Sequence, residues 1–137
     1  MSRGIGAFAK KVLEDENTVM YEYGPYNLNE PEFRNIDHIY DGYITIAKEC
    51  FVEPEIHEKT KKMPSGKKKL ITKRVLSSVD YGKMLLDGKI QVENSRFAWN
   101  VTEDSLKIDV MACHLLFKLF NKYQEGSVIP ESINYDV

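Results

Sequence analysis

Four polar residues that could bind a metal ion lie close together near the middle of the chain. They are Glu53, Glu55, His57 and Glu58, which offer carboxylate oxygens and one imidazole nitrogen. Their spacing matches no ligand pattern of known zinc or oxygen-coordinated sites. Because an exposed polar turn accounts for the same residues, we predict no metal site here.

Cysteine, histidine and glycine residues that could serve catalysis lack the partners that such chemistry needs. Cys113 and His114 lie in an apolar helical pattern, and no serine or carboxylate can be assigned beside them. We interpret them as a small core residue and a half-buried histidine. The segment Gly4–Ala9 fits the form of a dinucleotide fingerprint, but a strand follows it instead of a helix. We therefore expect a non-catalytic protein without a cofactor.

The basic segment, residues 59–74, is the most informative feature of the chain. It reads KTKKMPSGKKKLITKR and holds eight of the nineteen basic side chains and no acidic one, although the chain's formal net charge is -2. Such a segment suits nucleic-acid phosphates or an acidic protein surface, whereas protection of an exposed strand edge explains it without any ligand. It contains no aromatic residue for stacking on single strands. The candidate contacts with an anionic partner are Lys61, Lys62, Lys67, Lys68, Lys69, Lys73 and Arg74.

Tyrosines define a second candidate surface in the first third of the chain. Five of the eight tyrosines fall between residues 21 and 43, interspersed with acidic side chains. Tyrosine favours protein recognition because its rigid ring gives a large contact area and its hydroxyl gives a hydrogen bond. Simple packing of alternating tyrosines on a sheet would produce the same pattern. The candidate protein contacts are Tyr21, Tyr23, Tyr26 and Tyr40.

The elements before the basic segment are mostly strands. Residues 5–13 and 18–23 predict a hairpin that ends at Gly24-Pro25. Residues 43–51 are apolar on both faces, which is typical of a strand near the middle of a sheet. Residues 52–63 are polar, so we expect a loop or a short exposed helix there.

Around and after the basic segment, turn residues alternate with short apolar runs. Pro64-Ser65-Gly66 predicts the turn of a basic hairpin, and residues 69–76 predict the strand that follows it. A short helix is expected over residues 79–87, with Ser77 or Ser78 as its cap. Residues 90–99 predict a strand whose apolar phase changes near Asn94, which indicates a bulge or a break.

The strongest helical pattern covers residues from about 104 to 125. Gly126 follows it, and residues 133–137 alternate as a last strand. The pattern predicts a single α+β domain over residues 1–137, in which an antiparallel or mixed sheet packs against this long helix and short helices. The predicted apolar stripe comprises Leu106, Val110, Cys113, Phe117 and Phe120, widened by Leu116, Leu119 and Tyr123.

Length and composition favour a cytoplasmic binding protein. No segment approaches the roughly 20 apolar residues that span a bilayer, and the two cysteines form no recognisable motif. In size and composition the chain is similar to small bacterial immunity proteins and other stoichiometric inhibitors. We expect a protein-binding inhibitor or immunity-type module, with a nucleic-acid-binding protein that uses the basic segment as the alternative.

Overall fold

The computed structural model describes residues 3–75, 80–103 and 106–136. Within them the fold is α+β, as the sequence predicts, with two antiparallel sheets and one long helix. In chain order, the strands are β1 (Ile5–Glu14), β2 (Thr18–Asn27), β3 (Gly42–Ala47), β4 (Glu55–Lys62), β5 (Lys68–Val75), β6 (Ile90–Glu93) and β7 (Ser132–Asp136). The helices are α1 (Tyr81–Leu86) and α2 (Val110–Gly126), with 3-10 turns at Pro31–Phe33 and Lys48–Cys50.

The main sheet has the strand order β6-β3-β2-β1-β7 and buries one face under α2. Alternation of side chains along each strand sends Ala7, Tyr21 and Ile44 to that face, where all three are fully buried. Strand β3 lies between two neighbours, which confirms the prediction of a strand inside the sheet, but it ends at Ala47, and the last part of the predicted strand 43–51 forms the 3-10 turn Lys48–Cys50. The helical part of the core consists of Met111, Ala112, Leu115, Leu116, Leu119 and Phe120.

Strand β2 continues past Gly24-Pro25, so the predicted end of the first hairpin is wrong. Pro25 pairs with Ala7 of β1. Its carbonyl oxygen accepts a hydrogen bond of 3.1 Å from the side chain of Asn35. In an antiparallel strand, the N–H and C=O groups of one residue point to the same side. The Pro25 carbonyl points away from β1, so the lack of an N–H group in proline removes no hydrogen bond between β1 and β2.

Helix α2 begins at Val110, later than the predicted start near residue 104, although residues 104 and 105 themselves lie outside the described ranges. Residues 106–109 are not helical. The Asp109 side chain accepts a hydrogen bond from the Met111 N–H and caps the helix. The predicted stripe is also displaced around the helix axis, because Phe117 is 53% exposed while Leu115 is fully buried.

Strands β4 and β5 form the second sheet, a two-stranded ribbon of residues 55–75 that we call the basic ribbon. The prediction of a loop or helix over residues 52–63 is wrong, because β4 occupies residues 55–62. No apolar face marks this strand, so periodicity alone could not identify it. The turn at Pro64-Ser65-Gly66 is confirmed.

The remaining short elements agree with the sequence. Helix α1 lies inside the predicted range 79–87, and β6 ends one residue before the predicted break at Asn94. Asp80 caps α1, while the predicted caps Ser77 and Ser78 lie outside the described residues. In the described part of the chain, no helix is long and apolar enough to cross a membrane.

Candidate binding surfaces

The basic ribbon brings lysines of its two strands directly opposite each other. Lys61 pairs with Lys69, and Lys62 pairs with Lys68 on the other face. Directly paired side chains of a ribbon lie about 5 Å apart at Cβ, so these like charges repel each other. The ribbon therefore concentrates positive charge on both faces near its turn.

No acidic side chain of the described residues forms an ion pair with the ribbon lysines. Every residue from 55 to 73 is exposed, and the ion pair inside the ribbon joins His57 to Glu55 at 3.0 Å. Lys73 lies opposite His57, on the face that carries Lys61 and Lys69. Arg74 is part of β5, but its side chain lies outside the described part of the structure. The candidate lysines thus lie on both faces of the ribbon, and among the described residues no ion pair neutralises them.

Charge is divided sharply between the ribbon and the body of the protein. The ribbon, residues 55–75, holds eight basic and two acidic side chains, which leaves eleven basic and nineteen acidic side chains in the rest of the chain and a formal charge of -8 there. With this division of charge, the field of an anionic molecule would attract the ribbon and repel the body.

Aliphatic side chains are interspersed with the ribbon lysines, and sequence reasoning missed their exposure. Ile56 is 52%, Leu70 is 58% and Ile71 is 43% exposed. Leu70 lies opposite Thr60, and Ile71 lies opposite Lys59 on the other face. The sequence signal was present, since these residues interrupt the lysine run, but a β-strand usually buries such residues. Here both faces of the ribbon offer apolar contact area beside charge.

Two of the four candidate tyrosines are core residues, so the prediction that they contact a partner is corrected by the structure. Tyr21 and Tyr23 are fully buried. The hydroxyl of Tyr21 donates a hydrogen bond of 2.5 Å to the Pro130 carbonyl. Burial raises the pKa of both phenols well above the usual range, so both remain donors at neutral pH. Tyr26 and Tyr40 lie on the opposite face of the sheet and are partly accessible.

A buried polar cluster surrounds Tyr23, and the sequence pattern does not reveal which residues form it. The Tyr23 hydroxyl donates to Asp109 Oδ2 at 3.1 Å and accepts from the Ser95 N–H at 3.0 Å. The Ser95 hydroxyl bonds to Asp41, which also forms a 3.1 Å ion pair with Arg96. Burial raises the pKa of Asp109 to about 6. We interpret the cluster as structural, because its central carboxyl is fully buried and caps α2.

The four potential metal ligands do not converge. Glu53 accepts a hydrogen bond from Tyr123, whereas the exposed Glu55 pairs with His57. Glu58 lies on the opposite face of the ribbon from His57, because neighbouring strand residues alternate. Among the described residues, no group of three histidine, cysteine, aspartate or glutamate side chains is arranged to hold a metal ion.

Comparison with models of protein families, with curated proteins and with solved structures gives no match to this chain. Its function must therefore be argued from the surfaces themselves.

Proposed function

We propose that the protein is a non-catalytic binding protein of the inhibitor or immunity type, whose basic ribbon binds an acidic groove on a protein partner. The observation that carries the proposal is the direct opposition of lysines across the ribbon, Lys61 to Lys69 and Lys62 to Lys68, in a segment whose residues 55–73 are all exposed. Each such pair costs up to about 1 kcal/mol, which an acidic partner would offset.

The shape of the ribbon fits a groove. Strands of eight residues extend about 26 Å, and a two-stranded ribbon is about 10 Å wide with its side chains on two faces. No strand of the main sheet pairs with β4 or β5, so both faces and both edges are accessible in the described structure. A groove would surround more of these side chains than a flat surface.

A protein partner is favoured over nucleic acid by the aliphatic residues Ile56, Leu70 and Ile71. They are between 43% and 58% exposed, and they lie between the charged positions. A protein groove can bury them against apolar side chains, whereas nucleic-acid backbones offer mainly phosphate and sugar. The absence of aromatic residues from the basic segment also removes base stacking as a source of affinity.

Nucleic-acid binding is the second candidate, supported by the ribbon geometry. The major groove of a DNA duplex accommodates a two-stranded β-ribbon, and lysines near the ribbon turn would neutralise phosphates. The body of the protein, with a formal charge of -8, would then face away from the duplex.

For the compartment we propose the cytoplasm. The described helices include none that could cross a membrane. Cys50 is a buried thiol outside any disulfide, which suits a reducing environment.

The test compares binding of four fluorescent probes to the wild-type protein. The probes are an oligoglutamate peptide, a peptide with the same number of glutamates interspersed with leucines, a DNA duplex and a DNA single strand. We expect the leucine-containing peptide to bind several-fold more tightly than oligoglutamate, because its leucines contact the ribbon aliphatics. Tighter binding of a nucleic-acid probe, with a steep salt dependence, would establish the second candidate instead.

Charge variants identify the surface that binds. The variant K67E/K68E/K69E should abolish binding. It should not unfold the ribbon, because the new glutamates at positions 69 and 68 lie opposite Lys61 and Lys62 and form opposite-charge pairs with them. A matched control, K10E/K83E/K122E, changes the net charge by the same amount at exposed positions outside the ribbon and should retain binding. Equal loss in both variants, or no binding of any probe to wild type, would refute a role for the ribbon.

A further inference from the structure

A cleft on the other face of the main sheet forms a second site, separate from the basic ribbon. We call it the Phe8 cleft. It has a volume of about 560 Å³, is open to solvent, and lies between the segment of residues 28–41 and the end of strand β7. Phe8 of β1 forms its floor and is only 8% exposed. The side chains that line it include both candidate tyrosines that the structure leaves at the surface, Tyr26 and Tyr40.

Aromatic rings surround the floor of the cleft. The ring of Tyr40 lies 4.3 Å from that of Phe8, and the imidazole of His38 lies 5.3 Å from it, both tilted. Tyr26 completes the group with its ring centroid 6.3 Å from Phe8. Several π-faces and ring edges thus meet around one apolar space, which is the arrangement that attracts a cation by its interaction with ring quadrupoles.

A carboxylate lies at the margin of the cleft. The Tyr26 hydroxyl donates a 2.6 Å hydrogen bond to Asp136 Oδ1. The Tyr26 ring reaches Asp136 across Gly6, where a side-chain carbon would lie 2.6 Å from the Tyr26 hydroxyl. Burial and this hydrogen bond raise the pKa of Tyr26 to about 12, so the phenol stays a donor at neutral pH. Asp136 is exposed, and its carboxylate can accept further donors.

The segment that forms the wall of the cleft is held in one conformation. Asn35 is buried, and its side-chain nitrogen donates to the carbonyls of Pro25 and Ile39 at 3.1 Å and 3.0 Å. Its side-chain oxygen accepts from the Ile39 N–H at 2.8 Å. The bond to Pro25 connects the segment to strand β2, and the two bonds to Ile39 fold the segment back on itself, so the cleft is built before a ligand enters, which reduces the ordering cost of binding.

From this geometry we infer that the Phe8 cleft binds an arginine side chain of a protein partner. A guanidinium stacks on aromatic rings and donates two parallel hydrogen bonds to a carboxylate. The cleft offers both kinds of partner, aromatic rings and the carboxylate of Asp136. The carboxylate that lines the cleft is that of Asp136, and it would supply the acceptor for the guanidinium. The open shape suits one side chain that projects from a larger molecule.

Arg34 is the basic residue of the wall segment 28–41, and it gives the inference a sharp test. It lines the cleft and is exposed, and it would repel an incoming guanidinium. Its removal should therefore strengthen binding, while removal of the Asp136 charge should weaken it. A non-specific effect of mutation would not produce opposite signs at two lining residues.

The experiment is an NMR titration of the ¹⁵N-labelled protein with N-acetyl-arginine methylamide. The control ligand is the citrulline analogue, which has the same shape but no charge. We expect saturable shifts at the backbone amides of the cleft with the arginine ligand and none with the citrulline ligand. Asp136→Asn, which keeps the acceptor for Tyr26, should weaken binding about fivefold, and Arg34→Ala should strengthen it about two- to fivefold.

The same titration tests the Phe8 cleft independently of the basic ribbon. The variant K67E/K68E/K69E should bind the arginine ligand as wild type does, so failure of the ribbon proposal would leave the cleft intact. Equal binding of the citrulline ligand would refute the inference, as would shifts outside the cleft or no saturable binding by wild type. Dispersed spectra of both cleft variants would show that they are folded.

Discussion

Replacement of Asp109 by asparagine tests the buried cluster at the start of α2. Asp109 is fully buried and caps the helix, and its pKa rises from 3.8 to about 6 because burial disfavours the charged form. The folded protein therefore binds this proton more tightly than the unfolded chain does. The contribution of Asp109 to stability is greatest below about pH 4, and it is lost as the pH rises to about 6.

The magnitude follows from the size of the shift. About two pKa units correspond to about 3 kcal/mol of unfolding free energy, lost between about pH 4 and pH 7. The asparagine side chain of the variant would still accept the hydrogen bond from the Met111 N–H. Its amide nitrogen cannot accept the hydrogen bond from the Tyr23 hydroxyl, and this loss should lower the free energy of unfolding by about 1 kcal/mol at every pH. We therefore expect Asp109→Asn to be less stable than wild type near pH 4 and about 2 kcal/mol more stable near pH 7.

Urea unfolding followed by circular dichroism, at several pH values from about 4 to 7, measures this difference. Subtraction of wild type from variant removes the contributions of other groups, including Glu14, whose pKa is lowered to about 2 by its hydrogen bonds with Lys11 and Lys48. Leu119→Ala serves as a destabilised control without a titrating change, and its difference from wild type should stay constant with pH. A difference for Asp109→Asn that varies by less than about 0.5 kcal/mol over this range would refute the reasoning.

Three further substitutions test packing. Phe120→Ala should cost about 3 to 5 kcal/mol in urea unfolding, because Phe120 is 1% exposed, whereas Phe117→Ala should cost less than about 1 kcal/mol, because Phe117 is 53% exposed. Equal costs would mean that α2 packs on the face that the sequence predicted. Gly6→Ala should lower the melting temperature by several degrees, because the new carbon would overlap the Tyr135 carbonyl and lie 2.6 Å from the Tyr26 hydroxyl; an unchanged melting temperature would contradict this close approach.

The fold was predictable wherever one pattern pointed to a single burial scheme. Strand β3 and the long helix were found because their apolar residues leave no other arrangement. The buried face of α2 was not predictable, because residues 110–120 are apolar almost all the way round the helix and two apolar stripes fit them equally well. Strand β4 was missed for the opposite reason, because a strand exposed on both faces has no apolar period.

The candidate surfaces were predictable only where charge defines them. The lysine run was visible in the sequence, but the direct opposition of Lys61 to Lys69 depends on the register of the ribbon. The tyrosine cluster divided into two groups, because alternation along β2 sends Tyr21 and Tyr23 into the core and Tyr26 to the other face. The Phe8 cleft needed the tertiary structure, since its floor and its carboxylate are more than one hundred residues apart.

Stability cannot explain the composition of the basic ribbon. Residues 55 to 73 are all exposed, so the ribbon buries little apolar area, and its paired lysines repel each other. Protection of an edge from unwanted strand pairing would require only an isolated charge on each strand, whereas four lysines face one another here. Exposed Leu70 and Ile71 would increase the risk of such pairing instead of reducing it. The proposed binding to an acidic partner would account for both features, since it would neutralise the lysines and cover the aliphatic side chains.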